Sequence, residues 1–256
     1  MTPRPPSNRG ELRFPLFGAP VRIQPWFWLS ILMMSGTQNT TLALIWLGVC
    51  LLSILVHEMG HVFAFRTFGQ EAEVVLYGFG GLTIPRRNVP MSTIQRVVIS
   101  IAGPAAGFAL AIAVTAVAIS YGAKIQFAFH SLVIPTIRAA IFPAVPDPAR
   151  RMTYLYWNVL LNDLLFVNVY WGLVNLLPVF PLDGGHVSRA LFQKGDPIRG
   201  ISRSLVLSIA TAGTLIVIGI STGSIYLALM FGILAAGNIQ SLQAVRAYFR
   251  SHPDGQ

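Results

Sequence analysis

The sequence predicts an all-α polytopic membrane protein with about six transmembrane helices and a small β-hairpin between the second and the third. The 256 residues are 54% hydrophobic and only 11% charged, whereas soluble domains carry about 25% charged residues. The apolar residues also form runs that approach or exceed the roughly 20 residues that a helix needs to cross a bilayer. We therefore expect little mass outside the membrane.

The predicted spans follow one another with a turn or polar segment after each. The first is short, and Trp26 and Trp28 in it suit a membrane interface. The spans cover about residues 23–34, 41–68, 94–121, 154–177, 205–220 and 225–236. The chain is thus expected to have a cytoplasmic N-terminal segment (1–22), a six-helix membrane domain (23–245) and a cytoplasmic tail (246–256).

The segment between the second and third spans is too polar and too rich in turn residues to cross the membrane. Residues 73–77 favour a strand, Gly78-Phe79-Gly80-Gly81 a turn, and residues 82–84 a second strand. Such a hairpin either offers an unpaired edge to an extended peptide or is a plain connection. The sequence leaves both interpretations open.

The charge pattern predicts orientation and argues against a nucleic-acid partner. The net charge is +9, but the basic residues lie in short segments beside the apolar runs and form no single stripe. With the N-terminus inside, fourteen of the 18 lysines and arginines fall on the inner side, so both termini are expected in the cytoplasm. The N-terminal stretch lacks a small-residue cleavage site, and we expect no removed signal peptide.

The second span contains the pattern His57-Glu58-Met59-Gly60-His61. Four residues separate the histidines, so both lie on one helix face and can share a metal ion, with Glu58 beside them to act on a water. An ionisable group within a membrane span is costly and usually marks function. The alternatives are a chance match or histidines used for packing.

A hydrolytic zinc site keeps three protein ligands and an open position, so a third ligand must come from elsewhere. No glutamate follows Glu73, which excludes a downstream glutamate ligand. The candidates are Asp147, Asp163, Asp183, His186 and Asp196. Asp183 follows two prolines, precedes two glycines and lies at the predicted depth of the histidines, so it is preferred. His186 remains an alternative ligand.

At this point the sequence resembles a known family. The motif at 57–61, together with Asn-Leu-Leu-Pro-Val-Phe-Pro-Leu-Asp-Gly-Gly at 175–185, is similar to the site-2 protease family of intramembrane zinc metalloproteases. Gly103-Pro104 in the third span and the turn at 78–80 also match features of that family. The resemblance covers roughly residues 41–190, and the paired motifs are specific.

The resemblance implies a role for each motif residue. One zinc ion per chain would be bound by His57, His61 and Asp183, and Glu58 would be the catalytic base. Asn175 would steady the substrate backbone or an oxyanion. The hairpin turn, with Gly78, Phe79 and Gly80, would contact the substrate strand.

The function that the resemblance implies is hydrolysis of peptide bonds in or near transmembrane segments of membrane-anchored proteins, expected to be single-span. The setting would be the lipid bilayer of a prokaryotic inner membrane. We expect no PDZ domain between the spans and no CBS pair after the last span, unlike in larger family members. A metal-handling transporter and a catalytically inactive membrane scaffold are the competing hypotheses.

Overall fold

The computed structural model describes residues 10–78, 80–87, 89–129, 135–140 and 148–251. The chain divides into two compact units, each made of two segments. The first unit is Met1–Asn88 with Ala102–Gly172, and the second is Val89–Ile101 with Leu173–Gln256. The division of the sequence into a membrane domain and two cytoplasmic ends stays a prediction.

The described residues form eight helices, six strands and one π-helical turn. They are β1 (Leu12–Leu16), β2 (Ala19–Ile23), α1 (Pro25–Met34), α2 (Thr40–Thr67), β3 (Ala72–Tyr77), β4 (Gly80–Pro85), α3 (Thr93–Ser120), β5 (Lys124–Phe129), β6 (Pro135–Ala140), α4 (Pro148–Phe166), a π-helical turn (Val167–Trp171), α5 (Gly172–Asn175), α6 (Asp183–Gln193), α7 (Pro197–Ser221) and α8 (Ile225–Ser251).

Four helices of the described chain are long and apolar enough to cross a membrane, namely α2, α3, α7 and α8. This confirms a mainly helical protein with several candidate spans. The count of six is not confirmed, since α1 has only 10 residues and the predicted fourth span is broken into α4, the π-helical turn and α5. A π-helical turn shifts the register of the backbone hydrogen bonds, which a hydropathy pattern does not reveal.

Helix α2 has a defined start and end. The side chain of Asn39 accepts a hydrogen bond from the Leu42 amide at 3.1 Å and caps the first turn. At the other end Gly69 adopts φ 71°, and the Gln70 amide donates to the Phe65 carbonyl at 3.0 Å. A glycine in this left-handed conformation ends a helix at little steric cost, so the 28 residues of α2 form one rigid element.

The predicted hairpin of β3 and β4 is confirmed, but it belongs to a larger sheet. The sheet has the order β1-β2-β3-β4, with β2 parallel to β3 and the other pairs antiparallel. The expectation of a plain N-terminal segment over 1–22 missed β1 and β2, because each is a five-residue strand that contains a proline. Strand β4 forms one edge of this sheet.

Each unit has its own apolar core. In the first unit, buried residues of β3 and α2 include Val62, Val74 and Leu76, and these two elements pack together. In the second unit, Val179, Ala212 and Phe231 form a buried cluster where helices α7 and α8 pack. Between helices that cross a bilayer, such a core is stabilised mainly by van der Waals packing.

Candidate metal centre

The two histidines of the motif lie side by side on α2. Their side chains are buried, with 7% of His57 and 7% of His61 exposed. The two Nε2 atoms are 3.2 Å apart, and the ring planes are inclined at 76°. Both imidazoles therefore direct the same nitrogen toward one point, as the spacing of four residues in a helix predicted.

The distance between these nitrogens suits a shared metal ion. Two nitrogen ligands at about 2.0–2.1 Å from a tetrahedral zinc lie about 3.3 Å apart. The same separation also suits a hydrogen bond from one ring N–H to the other bare nitrogen. In both cases the pair is buried and pre-arranged, and imidazole is a preferred ligand of zinc.

Helix α3 leaves space for the histidines because its small residues face α2. A Cβ added at Gly103 would clash with His61 Nε2 and lie 2.7 Å from His57 Nε2. On α2 itself, a Cβ at Gly60 would clash with the Ala102 carbonyl and lie 2.8 Å from the Ala106 Cβ. Small residues let two helix backbones approach closely, and glycine is required here on both helices.

The carboxylate of Glu58 is held against strand β4. Glu58 is buried, with 4% exposed, and its Oε2 accepts a hydrogen bond of 2.6 Å from the Thr83 hydroxyl. A Cβ at Gly81 would lie 2.6 Å from the Glu58 Cδ. Gly81 and Thr83 are two apart on one strand, so they share a face. This face of β4 therefore forms the surface on which the carboxylate lies.

Tyr77, at the end of β3, belongs to the same neighbourhood. Burial raises the pKa of the Tyr77 hydroxyl above its ordinary value, and the negative charge of Glu58 raises that pKa further. The hydroxyl therefore stays protonated at neutral pH. It adds a neutral donor, and no second charge, near the carboxylate.

The third ligand does not come from the described part of the first unit. Within that part, no third histidine, cysteine or acidic side chain joins the two histidines in a group that could hold a metal ion. Asp163 lies in α4 of this unit and is not part of such a group. The remaining predicted candidates within the described residues belong to the second unit: Asp183, His186 and Asp196.

Asp183 lies in the second unit, at the first residue of α6. A carboxylate in the first turn of a helix interacts favourably with the partial positive charge there. Gly184 and Gly185 let this turn fold onto the preceding segment, because a Cβ at Gly184 would clash with the Leu176 carbonyl and one at Gly185 would lie 2.6 Å from the Phe180 Cα. The two glycines therefore allow the backbone around Asp183 to pack closely against the preceding segment.

The segment before Asp183 is held by two helices of the same unit. The Phe180 amide donates to Ser208 Oγ at 3.0 Å, and Asn238 Nδ2 donates to the Phe180 carbonyl at 2.6 Å. The Arg189 guanidinium lies 3.8 Å from the centre of the Phe180 ring. His186 contacts that ring edge-on, at 4.9 Å between centroids. Phe180 is thus fixed through its ring and through both backbone groups.

The other predicted site residues are less closely defined. Asn175 ends α5 in the second unit and is buried, and its role stays a prediction. Gly78 follows β3, and Gly80 adopts φ 127° at the start of β4, a conformation that favours glycine. Phe79 lies outside the described residues.

Sequence reasoning placed Gly81 in the predicted turn, whereas it lies in β4. It did not single out Thr83, and it noted Gly103 only as a feature shared with the family. The strand pattern of β4 contained a signal, because alternation places Gly81 and Thr83 on one face. The strand pattern did not identify the contacting element, because it contains no information on which helix that face covers.

Comparison with known proteins gives consistent similarities. The sequence model of Peptidase family M50 matches residues 43–218. Zinc metalloprotease MJ0392 of Methanocaldococcus jannaschii is 24% identical over 247 residues, covering 95% of this chain and 60% of that protein. The Rip3 protein of Mycobacterium tuberculosis, whose name assigns it provisionally to the zinc metalloproteases, is 32% identical over 184 residues, covering 67% of this chain and 39% of that protein.

The chain thus spans between 39% and 60% of the length of these curated relatives. Among solved structures, the Site-2 Protease from Methanocaldococcus jannaschii matches with a TM-score of 0.59 and 22% identity, over 91% of this chain and 95% of that one. This likeness shows a shared fold. Because the family match covers well over half of the sequence, the chain belongs to peptidase family M50.

Proposed function

We propose that this chain is an intramembrane zinc endopeptidase. The observation that carries the proposal is the buried pair His57 and His61, whose Nε2 atoms meet 3.2 Å apart. They lie beside a buried Glu58 within a helix apolar enough to cross a membrane. Two metal-ligand groups with a carboxylate next to them suit metal-assisted hydrolysis. Membership of a peptidase family gives the reaction class.

We assign the third zinc ligand to Asp183. The described part of the first unit offers no third ligand, so the choice falls on the second unit. There His186 packs against the Phe180 ring, and Asp196 accepts a hydrogen bond from the Arg199 amide at 2.9 Å. Asp183 also stands in the segment that resembles the second motif of the site-2 proteases. Two neutral imidazoles and one carboxylate form a common catalytic zinc set.

The reaction assigns separate tasks to these side chains. Bound zinc supplies Lewis-acid polarisation of the scissile carbonyl and lowers the pKa of an attacking water. His57, His61 and Asp183 hold the ion. Glu58 accepts the proton from the water through a carboxylate oxygen and then delivers it to the leaving amine. Asn175 is assigned to the developing negative charge on the carbonyl oxygen.

The proposed substrate is a membrane-anchored protein with a single span. A transmembrane helix keeps its carbonyl groups in hydrogen bonds, so it must unwind locally before attack. The edge position of β4 supports pairing with such an extended strand. The turn with Gly78, Phe79 and Gly80 is assigned to the same contact.

We propose a six-span arrangement in the membrane. The six spans would be the four long helices α2, α3, α7 and α8, the short helix α1, and the stretch from α4 to α5. The excess of basic residues on one side supports cytoplasmic termini. The setting proposed is a prokaryotic inner membrane.

Glu58→Gln tests the function. The purified chain is reconstituted in vesicles with end-labelled synthetic peptides, each an apolar helix of about 20 residues weakened by a central Asn-Gly. Cleavage is located by mass spectrometry and zinc content is measured by metal analysis. The variant is expected to keep its zinc and to lose about 10²- to 10⁴-fold in cleavage rate.

Two results would contradict the proposal. The first is cleavage that Glu58→Gln leaves unchanged. The second is uptake of zinc into vesicles that hold the wild-type chain, with no peptide cut, which would identify a transporter.

A further inference from the structure

We infer that Thr83 is a positioning residue for the base Glu58, an inference that rests on the proposed function for the role of Glu58. The Thr83 hydroxyl and the Glu58 carboxylate are 2.6 Å apart. Hydrogen bonds from a hydroxyl to an ionised carboxylate are typically about 2.5–2.7 Å long and are among the stronger ones in proteins. The contact joins strand β4 directly to the catalytic motif on α2.

The hydroxyl has one proton and two acceptors within reach. Thr83 Oγ1 lies 2.6 Å from Glu58 Oε2 and 3.2 Å from the Glu58 carbonyl oxygen. The carbonyl oxygen of a helix residue already accepts a bond from its own helix, and the carboxylate oxygen is the nearer of the two. The proton is therefore directed to Oε2.

Gly81 provides the rest of the surface on the same face of β4. A side chain at that position would collide with the Cδ and the Oε1 of Glu58. The carboxylate is therefore confined between the bare backbone at Gly81 and the hydroxyl at Thr83. A glutamate side chain has three rotatable bonds. A carboxylate that is already confined therefore loses less conformational freedom than a free one when it must accept a proton at one fixed position.

The strand that positions the base is also the edge strand of the sheet. Thr83 pairs with Val74 of β3 on one side, and β4 has no further strand beyond it among the described elements. A substrate strand paired to that edge would lie next to the strand that holds Glu58. Thr83 thus connects the position of Glu58 to β4, the strand with which the substrate would pair.

Thr83→Val and Thr83→Ser form the test pair. Valine keeps the shape and the strand preference of threonine but has no hydroxyl, whereas serine keeps the donor. With the labelled peptides above, we expect Thr83→Val to lower kcat by about 10- to 100-fold with KM unchanged, and Thr83→Ser to restore most of it. Zinc content should stay at the wild-type value, and the unfolding temperature of Thr83→Val should fall only by the cost of one lost donor to a buried carboxylate.

A second measurement does not depend on cleavage. The chain is labelled with glutamate that carries ¹³C in its side-chain carboxylate, and its infrared spectrum is recorded. Subtracting the spectrum of the labelled Glu58→Gln variant identifies the carboxylate band of Glu58. We expect this band to shift in Thr83→Val and to keep its position in Thr83→Ser. Thr67→Val is the matched control, because the Thr67 hydroxyl donates at 2.8 Å to the Ala64 carbonyl in the same helix, and it should leave the band and kcat unchanged.

The outcomes separate this inference from the proposed function. An unshifted Glu58 band in Thr83→Val, or a loss that appears in KM and not in kcat, would overturn the positioning role. A shifted band in a chain that cuts no peptide would instead overturn the proposed protease and leave the contact itself established.

Discussion

The two units hold their polar site residues in different ways. In the first unit, His57, Glu58 and His61 lie within one long helix, and their relative positions follow from 3.6 residues per turn. In the second unit, Asp183 follows a non-helical segment and begins a new helix. Its position depends on where that segment is held.

The supports differ in the same way. Around α2 the neighbours mainly leave space, as Gly103 on α3 and Gly81 on β4 do. Around the segment before Asp183 the neighbours bind the backbone, because Ser208 and Asn238 contact the amide and the carbonyl of Phe180. The first arrangement is sensitive to added atoms, and the second is sensitive to removed hydrogen bonds.

The largest expected effect comes from removing a ligand from either unit. We expect His61→Ala and Asp183→Ala each to reduce bound zinc from one ion per chain to none and to abolish peptide cleavage, because a catalytic zinc site needs three protein ligands. Zinc content is measured by metal analysis of the purified chain.

Asp163→Ala is the control for this pair, since it removes a carboxylate from α4 that we do not assign to the metal. It should retain the zinc. If Asp163→Ala loses the ion while Asp183→Ala retains it, the assignment of the third ligand is wrong.

A single added methyl group should produce the next largest effect. In Gly103→Ala the new Cβ would lie 2.7 Å from His57 Nε2 and closer still to His61 Nε2. Alanine favours a helix over glycine by about 1 kcal/mol, so α3 should persist while the imidazoles are displaced. We expect zinc affinity to fall by more than about tenfold, measured by competition with a chelator of known affinity.

Gly107→Ala is the matched control, one turn further along α3. The added Cβ would lie 3.5 Å from Asn168 Oδ1, an ordinary van der Waals distance. Equal losses of affinity in both variants would mean that α3 tolerates no alanine here, and the space around the histidines would not be the cause.

The contrast between the units also explains what the sequence could predict. Helix α2 was expected at 41–68 and is found at Thr40–Thr67, because apolar composition and the motif spacing are local signals. The pairing of β2 with β3 was not predicted, since α1 and α2 separate these strands in the sequence. A propensity pattern contains no information on such distant partners.

The same reason applies to the site. The spacing of the motif predicted the relative positions of His57 and His61. The two prolines before Asp183 and the two glycines after it favoured Asp183 as the third ligand. The contacts that hold Phe180 come from residues 28 and 58 positions away, and Thr83 is 25 positions from Glu58. Nothing in the local sequence identifies Ser208, Asn238 or Thr83 as these partners, so only the structure shows them.

The smallest of these effects, and the one that best distinguishes the two units, is expected for Asn238→Leu. Leucine is similar in size to asparagine but cannot donate to the Phe180 carbonyl, now bonded at 2.6 Å. The segment before Asp183 should move more freely, and zinc affinity should fall by about tenfold, the lower end of the range for groups that orient a ligand. The unfolding temperature should fall as well, because the Phe180 carbonyl loses its donor.

Ser241→Ala provides the control on the same helix. The Ser241 hydroxyl is exposed and donates at 2.9 Å to the Gly237 carbonyl, so its removal should leave zinc affinity unchanged. If Asn238→Leu also binds zinc as the wild type does, then the hydrogen bonds to Phe180 stabilise only the packing of α7 and α8. Asp183 would then be placed by the first turn of α6 alone, and the two units would hold their site residues by the same local means.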